Sequence, residues 1–155
     1  MTRVLFVDDV RSILNVAKIL LEREGLDVST AISPKEALEM MEREKFDAII
    51  SDYMMPVTNG VEFLKKIRQS GDDTPFILFT GRGKEEVVAE AFNNGTDFYL
   101  PKVGKPEAQF TDLTHLINRA IQMREIINDD SVQPHRPAAA SRGLRPAHRH
   151  LIRAG

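Results

Sequence analysis

Five polar side chains in this sequence are of types that handle phosphate and metal ions: Asp8, Asp9, Asp52, Thr80 and Lys102. Each stands at the end of a short apolar run or just beyond it. If those runs are strands of a parallel sheet, their carboxyl ends lie at one edge of the sheet, where ligands bind. The five side chains span residues 8–102, but this fold would gather them into one pocket.

Three carboxylates in one pocket predict a bound cation. Two unit charges ~4 Å apart repel by roughly 4 kcal/mol at an effective dielectric constant of about 20, so a proton or a metal ion must relieve them. Hard oxygen donors without a thiolate or a nearby histidine favour Mg²⁺ over zinc. With a hydroxyl and an ammonium beside it, such a site suits phosphoryl transfer, in which an aspartate oxygen attacks phosphorus and forms an acyl phosphate.

The apolar runs themselves predict five strands. Residues 4–7, 48–50 and 76–79 are continuously apolar, which is typical of parallel strands covered on both faces. Residues 26–30 alternate apolar and polar side chains, and residues 98–100 form a short amphipathic stretch. We therefore expect these last two segments at the edges of the sheet.

Helical patterns alternate with the strands. Gly25 is the predicted C-terminal cap of the first helix, and Ser33 with Glu36 forms a predicted capping box that opens the second helix, with Pro34 in its first turn. The apolar positions that mark the helices lie at residues 10–21, 34–44, 61–67, 87–91 and 110–121. Five such units predict an α/β protein, a flavodoxin-like (βα)5 three-layer sandwich with a five-stranded parallel sheet of order 2-1-3-4-5.

The composition excludes several classes of protein. A length of 155 residues suggests one domain, and the absence of Cys excludes disulfide scaffolds, thiol catalysis, iron–sulfur clusters and thiolate zinc sites. No apolar run approaches the ~20 residues of a membrane span. The N-terminal apolar run is shorter than the roughly 7–15 residues of a signal peptide, so we expect a cytoplasmic protein without a membrane partner.

The charge is unevenly distributed. Residues 1–127 contain 16 Lys and Arg against 21 Asp and Glu, a net charge of -5, which argues against a nucleic-acid-binding surface. Residues 128–155 contain 5 Arg against 2 Asp, a net charge of +3, and residues 131–155 show neither helical nor strand periodicity. We interpret residues 1–127 as the domain and 128–155 as a flexible tail, a linker or a non-native cloning remnant.

Four segments resemble, in order, the motifs of the receiver domain of bacterial and archaeal two-component response regulators. Residues 4–9 (VLFVDD) resemble its first strand and acidic pair, and residues 51–60 (SDYMMPVTNG) resemble its phosphoacceptor segment. Residues 79–81 (FTG) resemble the switch hydroxyl and the small residue after it, and residues 95–102 (GTDFYLPK) resemble the segment ending in the essential lysine. The resemblance covers roughly residues 2–123.

This resemblance implies a phosphorylation-dependent signalling switch that catalyses only its own phosphorylation and dephosphorylation. Asp52 would accept a phosphoryl group from the phosphohistidine of a sensor histidine kinase. Asp9, Asp52 and the backbone carbonyl of Met54 would bind Mg²⁺, with Asp8 helping through water.

The resemblance also implies how the signal is read. Thr80 and Lys102 would contact the phosphoryl group, and Tyr99 would change rotamer with phosphorylation. An unknown downstream protein would then bind, because no output domain is recognisable in this chain. Receivers often pair through the face formed by their fourth helix, fifth strand and fifth helix, so a homodimer through that face is one expectation.

The sequence departs from the family after the essential lysine, where proline usually follows. Here Val103 follows Lys102, and the next Lys-Pro pair is Lys105-Pro106. A cis bond before a non-proline residue costs about 2.5–4 kcal/mol, so we expect a trans Lys102–Val103 bond. Lys105 could compete for the role, but the spacing of Lys102 from Gly95 fits the family.

Other interpretations of the same residues remain open. Asp8 and Asp9 could simply cap the first helix. An aspartate-nucleophile phosphohydrolase would usually have a second aspartate two residues after the nucleophile, where Met54 stands. A flavin-binding module would need a phosphate-binding loop after the first strand, and an acidic pair would repel phosphate there. The segment 81–84 (GRGK) lacks the spacing of a P-loop, so we interpret it as a flexible entry to the fourth helix.

Overall fold

The computed structural model describes residues 1–81 and 83–128. Its five strands are β1 (Arg3–Val7), β2 (Asp27–Ala31), β3 (Ala48–Ser51), β4 (Phe76–Thr80) and β5 (Phe98–Pro101). All pairs are parallel, and the order is β2-β1-β3-β4-β5, as predicted. The register aligns Val7 with Ser51 and Thr80 with Pro101, so the carboxyl ends of the central strands lie side by side.

Five helices connect the strands: α1 (Arg11–Arg23), α2 (Pro34–Arg43), α3 (Gly60–Gln69), α4 (Glu85–Asn93) and α5 (Pro106–Asn128). The prediction of five βα units is thus confirmed. The tail predicted for residues 128–155 lies outside the described residues, apart from Asn128 at the end of α5. Within the described part of the chain, no helix is both long enough and apolar enough to cross a membrane.

The core has one apolar cluster on each face of the sheet. Val4 and Phe6 of β1 belong to the cluster covered by α1 and α5, whereas Leu5 and Val7 belong to the cluster covered by α2 and α3. All four side chains are at most 1% exposed. Because successive strand residues point to opposite faces and both faces are covered, the central strands are apolar except at an end position: Arg3 begins β1, Ser51 ends β3 and Thr80 ends β4.

Capping interactions set where two of the helices begin. Ser33 Oγ accepts a hydrogen bond from the Glu36 N–H at 3.1 Å, but the Glu36 carboxylate accepts from Ile32 N–H rather than from Ser33. Only half of the predicted capping box therefore forms. A complete box, not predicted, opens α3, where Asn59 and Glu62 exchange two hydrogen bonds of 2.9 Å.

A buried ion cluster joins the last helix to the amino-terminal edge of the sheet. Asp97, whose side chain is 8% exposed, lies 3.2 Å from a guanidinium nitrogen of Arg124 and 3.6 Å from one of Arg68. Its carboxylate also accepts a hydrogen bond from the N–H of Phe76 at 2.8 Å. These contacts fix the starts of β4 and β5 at the edge opposite the predicted pocket.

Candidate functional site

Three carboxylates meet where β1 and β3 end. Asp8, Asp9 and Asp52 each offer an oxygen, and these oxygens lie within 4.8 Å of one another. The sheet itself brings them together, because the N–H of Asp52 donates to the carbonyl of Val7 at 3.0 Å. We call Asp8, Asp9 and Asp52 the carboxylate cluster. It offers hard oxygen donors of the kind that Mg²⁺ prefers.

Asp8 is the buried member of the cluster. Its side chain is fully inaccessible to solvent, and its two oxygens accept hydrogen bonds from Val10 N–H at 2.9 Å and from the Lys102 ammonium at 3.0 Å. Burial raises the pKa of Asp8, while the bonds from Val10 and Lys102 oppose that rise. The bond from Val10 also orients the chain that enters α1. The N-cap residue of that helix is Val10 itself, and it makes no side-chain capping hydrogen bond.

Asp52 has one oxygen fixed by the backbone and one oxygen toward Lys102. Its Oδ1 accepts from the N–H of Tyr53 at 2.7 Å, and its Oδ2 lies 3.6 Å from the Lys102 ammonium. The side chain is only 14% exposed. Asp52 is therefore held in one orientation, with Oδ2 as the oxygen on the lysine side.

Lys102 reaches the cluster from the edge strand β5, on the far side of β4. It follows β5, where its N–H donates to the carbonyl of Thr80 at 3.1 Å, and its ammonium lies 5.3 Å from the centre of the Phe79 ring. The side chain is 19% exposed and pairs with two carboxylates. Lys105, the alternative considered from the sequence, is exposed in the loop before α5. The structure thus brings Lys102 to the site, and no cis peptide bond occurs in the described residues, as expected for Lys102–Val103.

Gly60 allows α3 to begin directly against the backbone of Asp52. A Cβ at this position would lie 2.2 Å from the carbonyl oxygen of Asp52 and 3.1 Å from the Cα of Tyr53. The Gly60 N–H donates to the carbonyl of Tyr53 at 2.8 Å, which closes the loop after β3. Sequence reasoning placed Gly60 in a motif but did not detect this close approach.

A cavity of about 570 Å³ opens beside the cluster. The described residues that line it come from the ends of β3, β4 and β5 and from the loop before α4: Asp52, Thr80, Gly81, Gly83, Lys84 and Lys102. Thr80 is fully buried at the end of β4. Three of the predicted site residues, Asp52, Thr80 and Lys102, therefore share one cavity. Lys84 was not predicted as a site residue, because the segment 81–84 was interpreted only as an entry to the fourth helix.

Tyr99 and Met54 lie at the margin of this arrangement. Tyr99 is half-buried on β5, and its ring lies against Gly83, where a Cβ would be 2.6 Å from the phenolic oxygen. Burial raises the pKa of Tyr99. Met54 lies in the loop after Asp52 with its side chain half-exposed, and metal binding by its carbonyl stays a prediction.

This chain is similar in sequence to known proteins of one family. A family model described as the response regulator receiver domain matches residues 4–114. The transcriptional regulatory protein CpxR of Escherichia coli (strain K12) is 33% identical over 134 residues, which make up 86% of this chain and 57% of that protein. The response regulator SaeR of Staphylococcus aureus (strain USA300) is 32% identical over 119 residues, 77% of this chain and 52% of that protein. The chain thus spans about half the length of the curated relatives it matches.

Solved structures agree with the sequence relatives. A response regulator receiver domain protein from Clostridium thermocellum superposes with a TM-score of 0.74 at 30% identity, covering 82% of this chain and 99% of that one. The chemotaxis response regulator CheY4 of Vibrio cholerae superposes with a TM-score of 0.68 at 35% identity, covering 75% of this chain and 98% of that one. The predicted flavodoxin-like topology is the topology of these structures.

Proposed function

Because the chain belongs to the response regulator receiver domain family, we propose that it is switched by phosphorylation of Asp52, with the phosphohistidine of a sensor histidine kinase as the donor. Residues 1–127 form the receiver unit in this proposal. The observation that carries it is the shared cavity of Asp52, Thr80 and Lys102 next to the carboxylate cluster. A nucleophile, a hydroxyl donor and an ammonium group stand there around one open space.

The hydrogen bonds of Asp52 select the attacking atom. Oδ1 accepts the N–H of Tyr53, so Oδ2, which lies nearer to Lys102, forms the new bond to phosphorus. The bond between phosphorus and the donor's imidazole nitrogen breaks, and the nitrogen keeps the electron pair. The Lys102 ammonium and the Thr80 hydroxyl then lie beside the transferred oxygens and offset their charge.

Mg²⁺ fits the donor set of the cluster. Asp9, Asp52 and the carbonyl of Met54 would hold it, and Asp8, whose two oxygens already accept hydrogen bonds, would act through water. The ion supplies positive charge beside the phosphoryl oxygens when it is bound. Without it, Lys102 is the one cationic side chain that pairs with Asp8 and Asp52 among residues 1–81 and 83–128.

Phosphorylation would redistribute the contacts of Lys102 and Thr80. The phosphoryl group brings about -1.5 to -2 charges and three strong acceptors. It would draw the ammonium away from Asp8 and the hydroxyl toward the new oxygens, and the loop between β4 and α4 would follow. Tyr99, packed on that loop at Gly83, would transmit the change to the surface of α4, β5 and α5. A downstream protein, or a second copy of the chain, would recognise that face, and a cytoplasmic location goes with this role.

Intact-mass spectrometry tests the proposal. The protein is incubated with acetyl phosphate with and without Mg²⁺, beside the variant Asp52→Ala. We expect one phosphoryl adduct that requires Mg²⁺ and is missing in the variant. The absence of any adduct, in folded protein and with a control receiver phosphorylated in parallel, would contradict the proposal.

A further inference from the structure

The wall of the cavity carries a second ammonium group that has no part in the chemistry described above. Lys84 lies in the loop after β4, at the N-cap position of α4, and lines the cavity together with Asp52 and Lys102. Its side chain is exposed, and no ion pair of Lys84 is formed within residues 1–81 and 83–128. Lys102, by contrast, is already paired with two carboxylates.

Two of the six described residues that line the cavity are glycines. Gly81 and Gly83 contribute no side chains to the cavity, whose volume of about 570 Å³ lies in the range of small-molecule sites. Glu85 and Glu86 follow Lys84 in the first turn of α4 but are not among the described residues that line the cavity. As far as the described residues line it, the cavity therefore has room for a leaving group in addition to a phosphoryl group, and the Lys84 ammonium is available to meet an anion.

We propose that Lys84 is a phosphodonor-binding residue, which attracts and holds small anionic phosphodonors of the acyl phosphate class in this cavity. This inference rests on the proposed function, because it takes Asp52 as the acceptor. The ammonium of Lys84 would meet the oxygens of the donor, while its phosphorus lies before Oδ2 of Asp52. Lys84 would thereby speed self-phosphorylation from small molecules, and the gain in rate would be larger for a donor that carries more negative charge.

The transfer step balances without a further reactant. An electron pair of Asp52 Oδ2 forms the bond to phosphorus, and the bond between phosphorus and the bridging oxygen of acetyl phosphate breaks. That oxygen keeps the bonding pair and leaves as acetate, which needs no proton. With phosphoramidate the phosphorus–nitrogen bond breaks instead, and the nitrogen leaves as ammonia with the protons that it already carries in the zwitterionic form of the donor.

Two donors of different charge separate an electrostatic role from a structural one. At neutral pH acetyl phosphate is a dianion and phosphoramidate is a monoanion. The Coulomb energy between Lys84 and a donor is proportional to the donor's charge, so doubling that charge squares the factor by which the rate changes. If removing the Lys84 charge slows phosphorylation about twofold with the monoanion, it should slow phosphorylation about fourfold with the dianion. We expect these losses for Lys84→Gln, measured as intact-mass time courses at low ionic strength with Mg²⁺ and donor far below saturation.

Matched variants complete the test. Lys45→Gln removes the same charge from an exposed position before β3, at the opposite edge of the sheet, and should react at the wild-type rate. Lys84→Arg keeps the charge and should also react nearly as the wild type does. The difference between the two donors should shrink in high salt, because exposed charges are screened.

The outcomes distinguish the inference from the function beneath it. If Lys84→Gln reacts at the wild-type rate, or loses the same factor with both donors, the inference is overturned while Asp52 remains the acceptor. If the wild-type protein accepts a phosphoryl group from neither donor, the proposed function itself fails, and this inference fails with it.

Discussion

Replacing Gly60 by alanine adds one methyl group where α3 begins against the loop that carries Asp52. The new Cβ would lie 2.2 Å from the carbonyl oxygen of Asp52, whereas ordinary van der Waals contact begins at 3.4 Å. The neighbouring atoms are backbone, including the Cα of Tyr53 at 3.1 Å, so no flexible side chain can move aside. The start of α3 and the Asp52 loop must therefore separate by about 1 Å.

The size of the effect follows from that displacement. Alanine in place of glycine would favour a helix by roughly 0.5–1 kcal/mol, but an extra methyl group forced into a packed site costs about 1–3 kcal/mol. We expect Gly60→Ala to lower the free energy of unfolding by about 1–2 kcal/mol. A nucleophile displaced by ~1 Å can lose roughly 100-fold in rate, so phosphorylation of Asp52 should suffer far more than stability does.

Urea unfolding and the rate of adduct formation from acetyl phosphate with Mg²⁺ measure the two effects separately. Gly25→Ala is the matched control, because Gly25 has a φ of +93° with nothing within 4 Å of the added Cβ, and it lies beyond α1 at the opposite edge of the sheet. It should cost about 1–2 kcal/mol through backbone strain and leave the phosphorylation rate unchanged. A Gly60→Ala protein that reacts at the wild-type rate would refute the reasoning.

Three further predictions concern the rest of the domain. Asp97→Ala takes from Arg68 and Arg124 the carboxylate that both contact, so the free energy of unfolding measured in urea should fall by about 3 kcal/mol. The folded variant should still be phosphorylated at the wild-type rate. A fall of less than about 1 kcal/mol in the free energy of unfolding would contradict this prediction. Gly83→Ala should push the Tyr99 ring outward, and since burial raises the pKa of Tyr99, its titration midpoint in ultraviolet absorbance should fall toward the ordinary value. That measurement uses a background with the only other tyrosine replaced by phenylalanine, and an unchanged midpoint would count against the packing argument. Mg²⁺ at ten times its Kd should add about 1.4 kcal/mol to the free energy of unfolding. Asp9→Asn removes one of the repelling charges, so it should stabilise the metal-free protein and reduce the stabilisation that Mg²⁺ adds. If Mg²⁺ stabilises this variant as much as it stabilises the wild type, a role for Asp9 in binding the ion is contradicted.

The strand order could be predicted because a strand that is buried on both faces of the sheet has a continuous run of apolar residues. The strands β1, β3 and β4 read as continuous apolar runs, and all three lie inside the sheet. The segments read as edges became β2 and β5. Once the order is known, the parallel topology places the residues after β1, β3, β4 and β5 at one edge, which explains why the pocket could also be predicted.

Helix ends were harder to predict than the helices themselves. The apolar pattern of α5 becomes visible at Phe110, yet the helix begins at Pro106, where a proline in the first turn was the available signal. The Asn59 capping box was likewise present in the sequence as a polar residue three positions before a glutamate. In both cases the sequence contained a local signal for the start of the helix. From the sequence alone, however, Pro106 is assigned to the Lys105-Pro106 pair and Asn59 to the phosphoacceptor segment.

The remaining features depend on distances that no local pattern records. Lys102 and Asp8 are 94 positions apart, and they form an ion pair because the parallel strands β1 and β5 end at the same edge of the sheet. The approach of Gly60 to the Asp52 carbonyl depends on how the loop after β3 folds back on itself. Lys84 lines the cavity for a similar reason, since the loop after β4 determines where its side chain lies.

Reduction of the phosphorylated protein with borohydride tests the central claim most directly. Borohydride converts an aspartyl phosphate to homoserine, so peptide mass spectrometry after digestion identifies the modified residue. We predict homoserine at position 52 in protein treated with acetyl phosphate and Mg²⁺, and unmodified aspartate there when Mg²⁺ is withheld. Homoserine at Asp8 or Asp9, or a stable adduct on another residue with Asp52 unmodified, would contradict the assignment of Asp52 as the phosphoacceptor.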